Sequence, residues 1–154
     1  FERPVINLGF SGNGKMEIEL ADLLAQLDPV VYVLDCLPNM NAQAVSQRVE
    51  PFVHRLRKSR PQTPILLVED RSYADSFLVT AKRKRNQDSR RALKVAWANL
   101  KQAGVTGLHY LEGKGLLGED GEATVDSSHP TDLGFVRQAE AFARVLGPIL
   151  SERK

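Results

Sequence analysis

Pro4-Val-Ile-Asn-Leu-Gly-Phe-Ser-Gly-Asn-Gly-Lys15 runs from a short apolar stretch, Val5 to Leu8, straight into three glycines, Gly9, Gly12 and Gly14. Met16, Leu20, Leu23, Leu24 and Leu27 follow at the spacing of one helix face. The stretch reads as strand, glycine turn, helix. Such a turn leaves backbone N–H groups unpaired at the positive end of a helix, where they can hold an anion or a developing oxyanion.

Working outward, the same alternation repeats. Val30 to Leu34 and Pro64 to Val68 are apolar without interruption, as strands of a parallel sheet covered on both faces are. Between them Val45, Val49, Phe52, Val53 and Leu56 mark a helix containing Pro51. Beyond them Leu93, Ala96, Trp97, Leu100 and Ala103 mark a second, stopped by Gly104. Val105 to Leu111 is a further strand, Glu112 to Val125 a glycine-rich acidic loop. The last helix is expected to start at Pro130, with Phe135, Ala139, Phe142, Leu146 and Ile149 inward. The implied fold is α/β, a parallel sheet with helices on both faces. Gly12, Asn39, Asp70, Asp126 and His129 all fall just past strand ends, the edge where open α/β sheets bind ligands.

The bulk numbers set bounds. A chain of 154 residues is expected to form one domain, 1–154, with ordinary proportions of hydrophobic (42%) and charged (26%) residues. The net charge of +2 makes no case for nucleic acid, and no apolar run approaches the ~20 residues of a membrane span. Cys36 is the one cysteine, so there is no disulfide framework. His54, His109 and His129 lack a compact ligand spacing, which argues against zinc. The chain opens on Phe1, three residues before the first expected strand. It therefore reads as a fragment or a processed product, and its compartment stays open.

Two readings of the glycine turn compete. Gly9 to Lys15 fits the phosphate-loop spacing G-x-x-x-x-G-K, with Lys15 reaching the terminal phosphates of a nucleotide. The next position should offer a hydroxyl to magnesium, and here it is Met16, a poor ligand for a hard cation. The other reading starts from Asp126-Ser-Ser-His129-Pro130. A carboxylate three residues before an imidazole can orient one ring nitrogen and leave the other as general base. The plain alternative is an ordinary surface turn.

Asn7-x-Gly9-x-x-Gly12, Asn39 and Asp126-x-x-His129-Pro130 occur in the order found in the SGNH (GDSL-like) hydrolases. From Val5 to Leu150 the chain resembles that family, closest to the subgroup with blocks like NLGFSGNG, LDCLPNM and HPTDLGF. The resemblance implies a serine ester hydrolase on a flavodoxin-like three-layer sandwich, working without metal or nucleotide cofactor. Carried over by position, the Gly12 N–H and the Asn39 side chain would be oxyanion donors, His129 the general base and Asp126 its orienting group. Ester substrates, including acetyl esters of carbohydrates, would be the partners, with neither nucleic acid nor membrane involved.

The family's nucleophilic serine belongs to a first block that this chain lacks, together with the strand carrying it and the following helix. That strand would sit at the centre of the sheet, so an N-terminal segment or a neighbouring chain is expected to complete it. Ser11 is a weak substitute, because a nucleophile elbow would need glycine at Asn13. Ser127 and Ser128 are close to the imidazole along the chain. A non-catalytic remnant of a hydrolase fold is the remaining alternative. Lys82 to Arg85, with Arg90, Arg91 and Lys94, reads as a solvated helix face near the active edge, with substrate contact as the other option.

Overall fold

The computed structural model describes residues 1–151. Its elements are α1 (Ile18–Leu24), β1 (Tyr32–Leu34), a 3-10 turn (Leu37–Asn39), α2 (Ala42–Ser59), β2 (Ile65–Val68), α3 (Thr80–Gln102), β3 (Leu108–Leu111) and α4 (Asp132–Ser151). The three strands are parallel in the order β1-β2-β3, with Tyr32 opposite Ile65 and Ile65 opposite Leu108.

β2 explains the layering. All four of its side chains are fully buried, and they alternate between two cores. Ile65 and Leu67 face a cluster filled by α1, α2 and α3, including Val49, Phe52, Leu56, Leu93 and Leu100. Leu66 and Val68 face Leu116 and Ala141 on the opposite side, where α4 packs. A strand covered on both faces needs no polar position, which is why its sequence shows no alternation. Burying each such side chain stabilises the fold by roughly 1.5–3 kcal/mol. The α/β, three-layer expectation is met.

α2 begins where Asn41 accepts the Ala44 N–H at 2.9 Å, an N-cap worth about 1 kcal/mol. Its five expected inward residues are all buried. At its far end Arg57 donates to the carbonyls of Arg60, Thr63 and Thr106, which ties the helix to the loops entering β2 and β3. α3 carries four basic residues in its first two turns, against the helix dipole. Tertiary ion pairs, described below, outweigh that cost.

Three expectations fail. Val5 to Leu8 forms no strand, and Val5, Ile6 and Leu8 are 84, 65 and 43% exposed. A strand is held by its ladder, and among the described residues none pairs with this segment. The first helix does not follow Gly14 directly but starts at Ile18, after Met16 turns with φ 54°. The last helix starts at Asp132, while Pro130 bridges Thr124. Its inward face keeps the expected Phe142, Leu146 and Ile149 and adds Gly134 and Ala141, while Phe135 and Ala139 are exposed. Gly134 turns inward at the helix start, where a Cβ would strike the Ala123 carbonyl and lie 2.9 Å from Pro130.

Candidate active site

Asp126 begins an Asx turn. Its Oδ1 accepts the backbone N–H of Ser128 at 3.0 Å and of His129 at 2.8 Å. The same turn brings Oδ2 to 2.6 Å from His129 Nδ1. The His129 N–H first, then the imidazole, then the Ser128 N–H hold the Asp126 carboxyl far below the ordinary carboxylate range. Ionised Asp126 can only accept, so Nδ1 carries a proton directed at it. The imidazole is exposed, and among the described residues no group bonds Nε2.

The turn is held from outside. Ser127 sits at φ 71°, a left-handed conformation costly for a residue with a side chain. Lys82 Nζ donates to Ser127 Oγ at 2.6 Å and to Asp75 at the same distance. Arg71 donates to the Ser128 carbonyl and to Ser128 Oγ. Both hydroxyls thus accept from cations, and among the described residues no hydrogen bond joins either of them to the His129 ring. Ala74 N–H bonds the Ser127 carbonyl at 2.9 Å.

Gly12 lies at the third position of a β-turn closed by Asn13 N–H on the Phe10 carbonyl at 2.9 Å. Its φ of 65° suits glycine. The Asn39 carboxamide donates to the Asn13 carbonyl. Positions 12 and 39 are therefore neighbours, and the second N–H of Asn39 remains to donate elsewhere. Ser11 is on the same turn, and no hydrogen bond among the described residues joins it to His129. The phosphate-loop geometry is absent. Lys15 is bonded through its N–H to Glu17 and through its carbonyl to Arg48, and α1 begins three residues later. Gly9 to Lys15 does not open a helix.

Asp35 lies past the end of β1, and its carboxylate accepts a hydrogen bond from Gln138 Nε2 at 3.5 Å. Protein packed around its carboxyl pushes it up to about 6, with repulsion from Asp70 adding and Arg71 opposing. Burial likewise pushes the Cys36 thiol up to about 12, so it is unreactive as a thiolate.

Three of the seven basic residues of the run turn toward the protein's own carboxylates and carbonyls. Arg85 pairs with Asp70 at 3.0 Å, Lys82 with Asp75, and Arg90 Nη2 donates to the Asp70 carbonyl at 2.7 Å. Lys84 with Asp88, and Lys94 with Glu112, are surface pairs. The role of Arg71 and Arg85 was missed in the sequence, although Glu69-Asp70-Arg71 directly follows a buried strand. A cleft of about 210 Å³ opens beside the Asp126–His129 turn, between residues 72–76 and the glycine-rich segment 114–124. Among the described residues no cluster of three or more His, Cys, Asp and Glu could hold a metal ion. No described helix is long and apolar enough to cross a membrane.

The sequence profile described as the GDSL-like Lipase/Acylhydrolase family matches residues 1–147. The chain belongs to that family. A crystal structure of a candidate GDSL-like lipase from Bacteroides ovatus is 33% identical and superposes with a TM-score of 0.87 over 91% of this chain. A salicylyl-acyltransferase from a tetracycline biosynthetic pathway is 19% identical, with a TM-score of 0.68 over 88% of this chain, and so shares the fold. This GDSL chain spans 42% of the length of each of those two. None of the curated proteins searched matches it.

Proposed function

We propose that this chain carries the base, its orienting carboxylate and the oxyanion donors of a serine ester hydrolase whose nucleophile lies outside residues 1–154. The observation that carries the reading is the Asp126–His129 pair, an ionised carboxylate 2.6 Å from Nδ1 of an imidazole with its other nitrogen free. His129 Nε2 would take the proton of the attacking serine hydroxyl as the new C–O bond forms, then return it to the departing alcohol. The ester carbonyl becomes a tetrahedral oxyanion in that step. The Gly12 N–H and the second Asn39 N–H are the donors for it, each worth roughly 3 kcal/mol in a water-poor site. Asparagine suits the task because it donates without a charge of its own to desolvate. Acetyl esters of carbohydrates are the substrate class suggested by the family likeness.

The test is hydrolysis of p-nitrophenyl acetate by the intact protein and its His129→Ala variant. Turnover that falls at least 10³-fold in the variant supports the reading. Equal turnover in both, or none in the wild type, overturns it, the latter in favour of a non-catalytic remnant. Stabilisation by ATP with Mg²⁺ in a thermal-shift assay would favour the nucleotide reading instead.

A further inference from the structure

Asp70 stands at the C-terminal end of the fully buried strand β2, with its own side chain 3% exposed. Such a carboxylate is costly unless paired and hydrogen-bonded. Here Asn86 Nδ2 donates to Oδ2 at 2.9 Å, Arg85 Nη1 donates to the same oxygen at 3.0 Å, and the Arg71 guanidinium lies 3.9 Å from Oδ1. The two arginines then extend in different directions, each ending on a backbone carbonyl. Arg85 Nη2 reaches the carbonyl of Pro38 at 2.8 Å. Arg71 Nε reaches the carbonyl of Ser128, and its Nη2 the Ser128 hydroxyl at 3.1 Å.

Those two carbonyls belong to the peptide bonds that lead into Asn39 and His129. We infer that Asp70, Arg71 and Arg85 form a positioning device that locks the oxyanion loop and the base loop to the end of one rigid strand, so that Asn39 and His129 keep a fixed separation. The inference rests on the hydrolase reading above and adds three residues to it. None of the three touches the reacting atoms. Their effect is geometric: Arg85 is hydrogen-bonded to the anchor on one edge and to a carbonyl on another, while Arg71 follows Asp70 directly in the chain, pairs with it at 3.9 Å and is hydrogen-bonded to Ser128, which leaves either loop little freedom to drift. The left-handed Ser127 and the exposed imidazole show why an external hold is needed, because the base loop contributes little packing of its own.

The experiment compares the intact protein with Arg71→Gln, Arg71→Lys, Arg85→Gln and His129→Ala, measuring kcat and KM separately on p-nitrophenyl acetate and the thermal midpoint of each. A displacement of about 1 Å in the base or the oxyanion donor costs on the order of 10²-fold in rate. Arg71→Gln and Arg85→Gln are therefore expected to lower kcat about 10–100-fold with KM within twofold. Arg71→Lys, which keeps a donor for the carbonyl but loses the fork, recovers part of that loss. A folded Arg71→Gln with wild-type kcat overturns the inference. Should Arg71→Gln not fold, Arg71→Lys decides in the same way: wild-type kcat overturns the inference, and a lowered kcat at unchanged KM supports it. Wild-type turnover in His129→Ala is a different result, and it removes the hydrolase reading itself.

Discussion

Asp126 and Asp35 show how neighbouring groups set what a carboxylate can do. Asp126→Asn keeps the turn's shape but replaces an acceptor that fixes the imidazole tautomer with a group that can also donate. Its expected effect in the intact protein is a fall of about 10³-fold or more in kcat/KM at neutral pH, measured against an unchanged circular-dichroism spectrum. Asp35 has the opposite sign. Its folded carboxyl lies near 6, above the ordinary 3.8, so the protonated form is the one the fold favours. Its contribution to stability is fully present below about 3.8 and is lost as pH rises through 6. Asp35 is also open to solvent on one side, which screens the effect, so Asp35→Asn, which cannot ionise, should melt only slightly above wild type at pH 7, with the difference closing by pH 4. Thermal midpoints across that range check it, and a difference that stays constant with pH would refute the burial argument.

At the scale of elements, α4 depends on one small residue. Thr131 Oγ1 accepts the Gly134 N–H at 3.2 Å, and Gly134 lies flush against the Ala123 carbonyl. Gly134→Ala should destabilise the protein by about 1–3 kcal/mol in urea titration, since the added methyl must push apart the strand-like bridge and the helix start. Gly147, in the same helix, meets nothing within 4 Å. Gly147→Ala should leave stability equal or raise it by about 0.5–1 kcal/mol. The pair of variants also explains what the sequence could tell. α2 was legible because its apolar positions keep strict helical spacing and all of them pack. The later turns of α4 were legible through Phe142, Leu146 and Ile149, but its first turn was misread because the inward residue there is Gly134, whose close approach leaves no hydrophobic mark. Asp126–His129 was legible because both groups lie within one turn. The Asp70, Arg71 and Arg85 cluster was not, because it joins positions up to 57 residues apart through side chains that read as ordinary surface charge.

Over the whole molecule, apolar side chains remain uncovered at several places, among them Val5, Ile6, Leu8 and Phe10 before α1, Val33 on β1, Phe77 and Leu78 before α3, and Leu133, Phe135 and Val136 at the start of α4. Val5 to Leu8 was readable as a strand by composition, but strand pairing is a property of two segments and one sequence stretch cannot supply both. β1 has β2 on one side alone among the described strands. Tyr32 N–H bonds the Pro64 carbonyl at 2.9 Å, and amide directions alternate along a strand. The Val33 N–H therefore points away from β2. That single amide makes a natural reporter: hydrogen exchange at Val33 should be fast in residues 1–154 alone, while Tyr32 and Leu34 exchange slowly. In the intact protein a slow Val33 would mean that another strand has docked along β1, and its protection factor would measure how firmly that seam is closed.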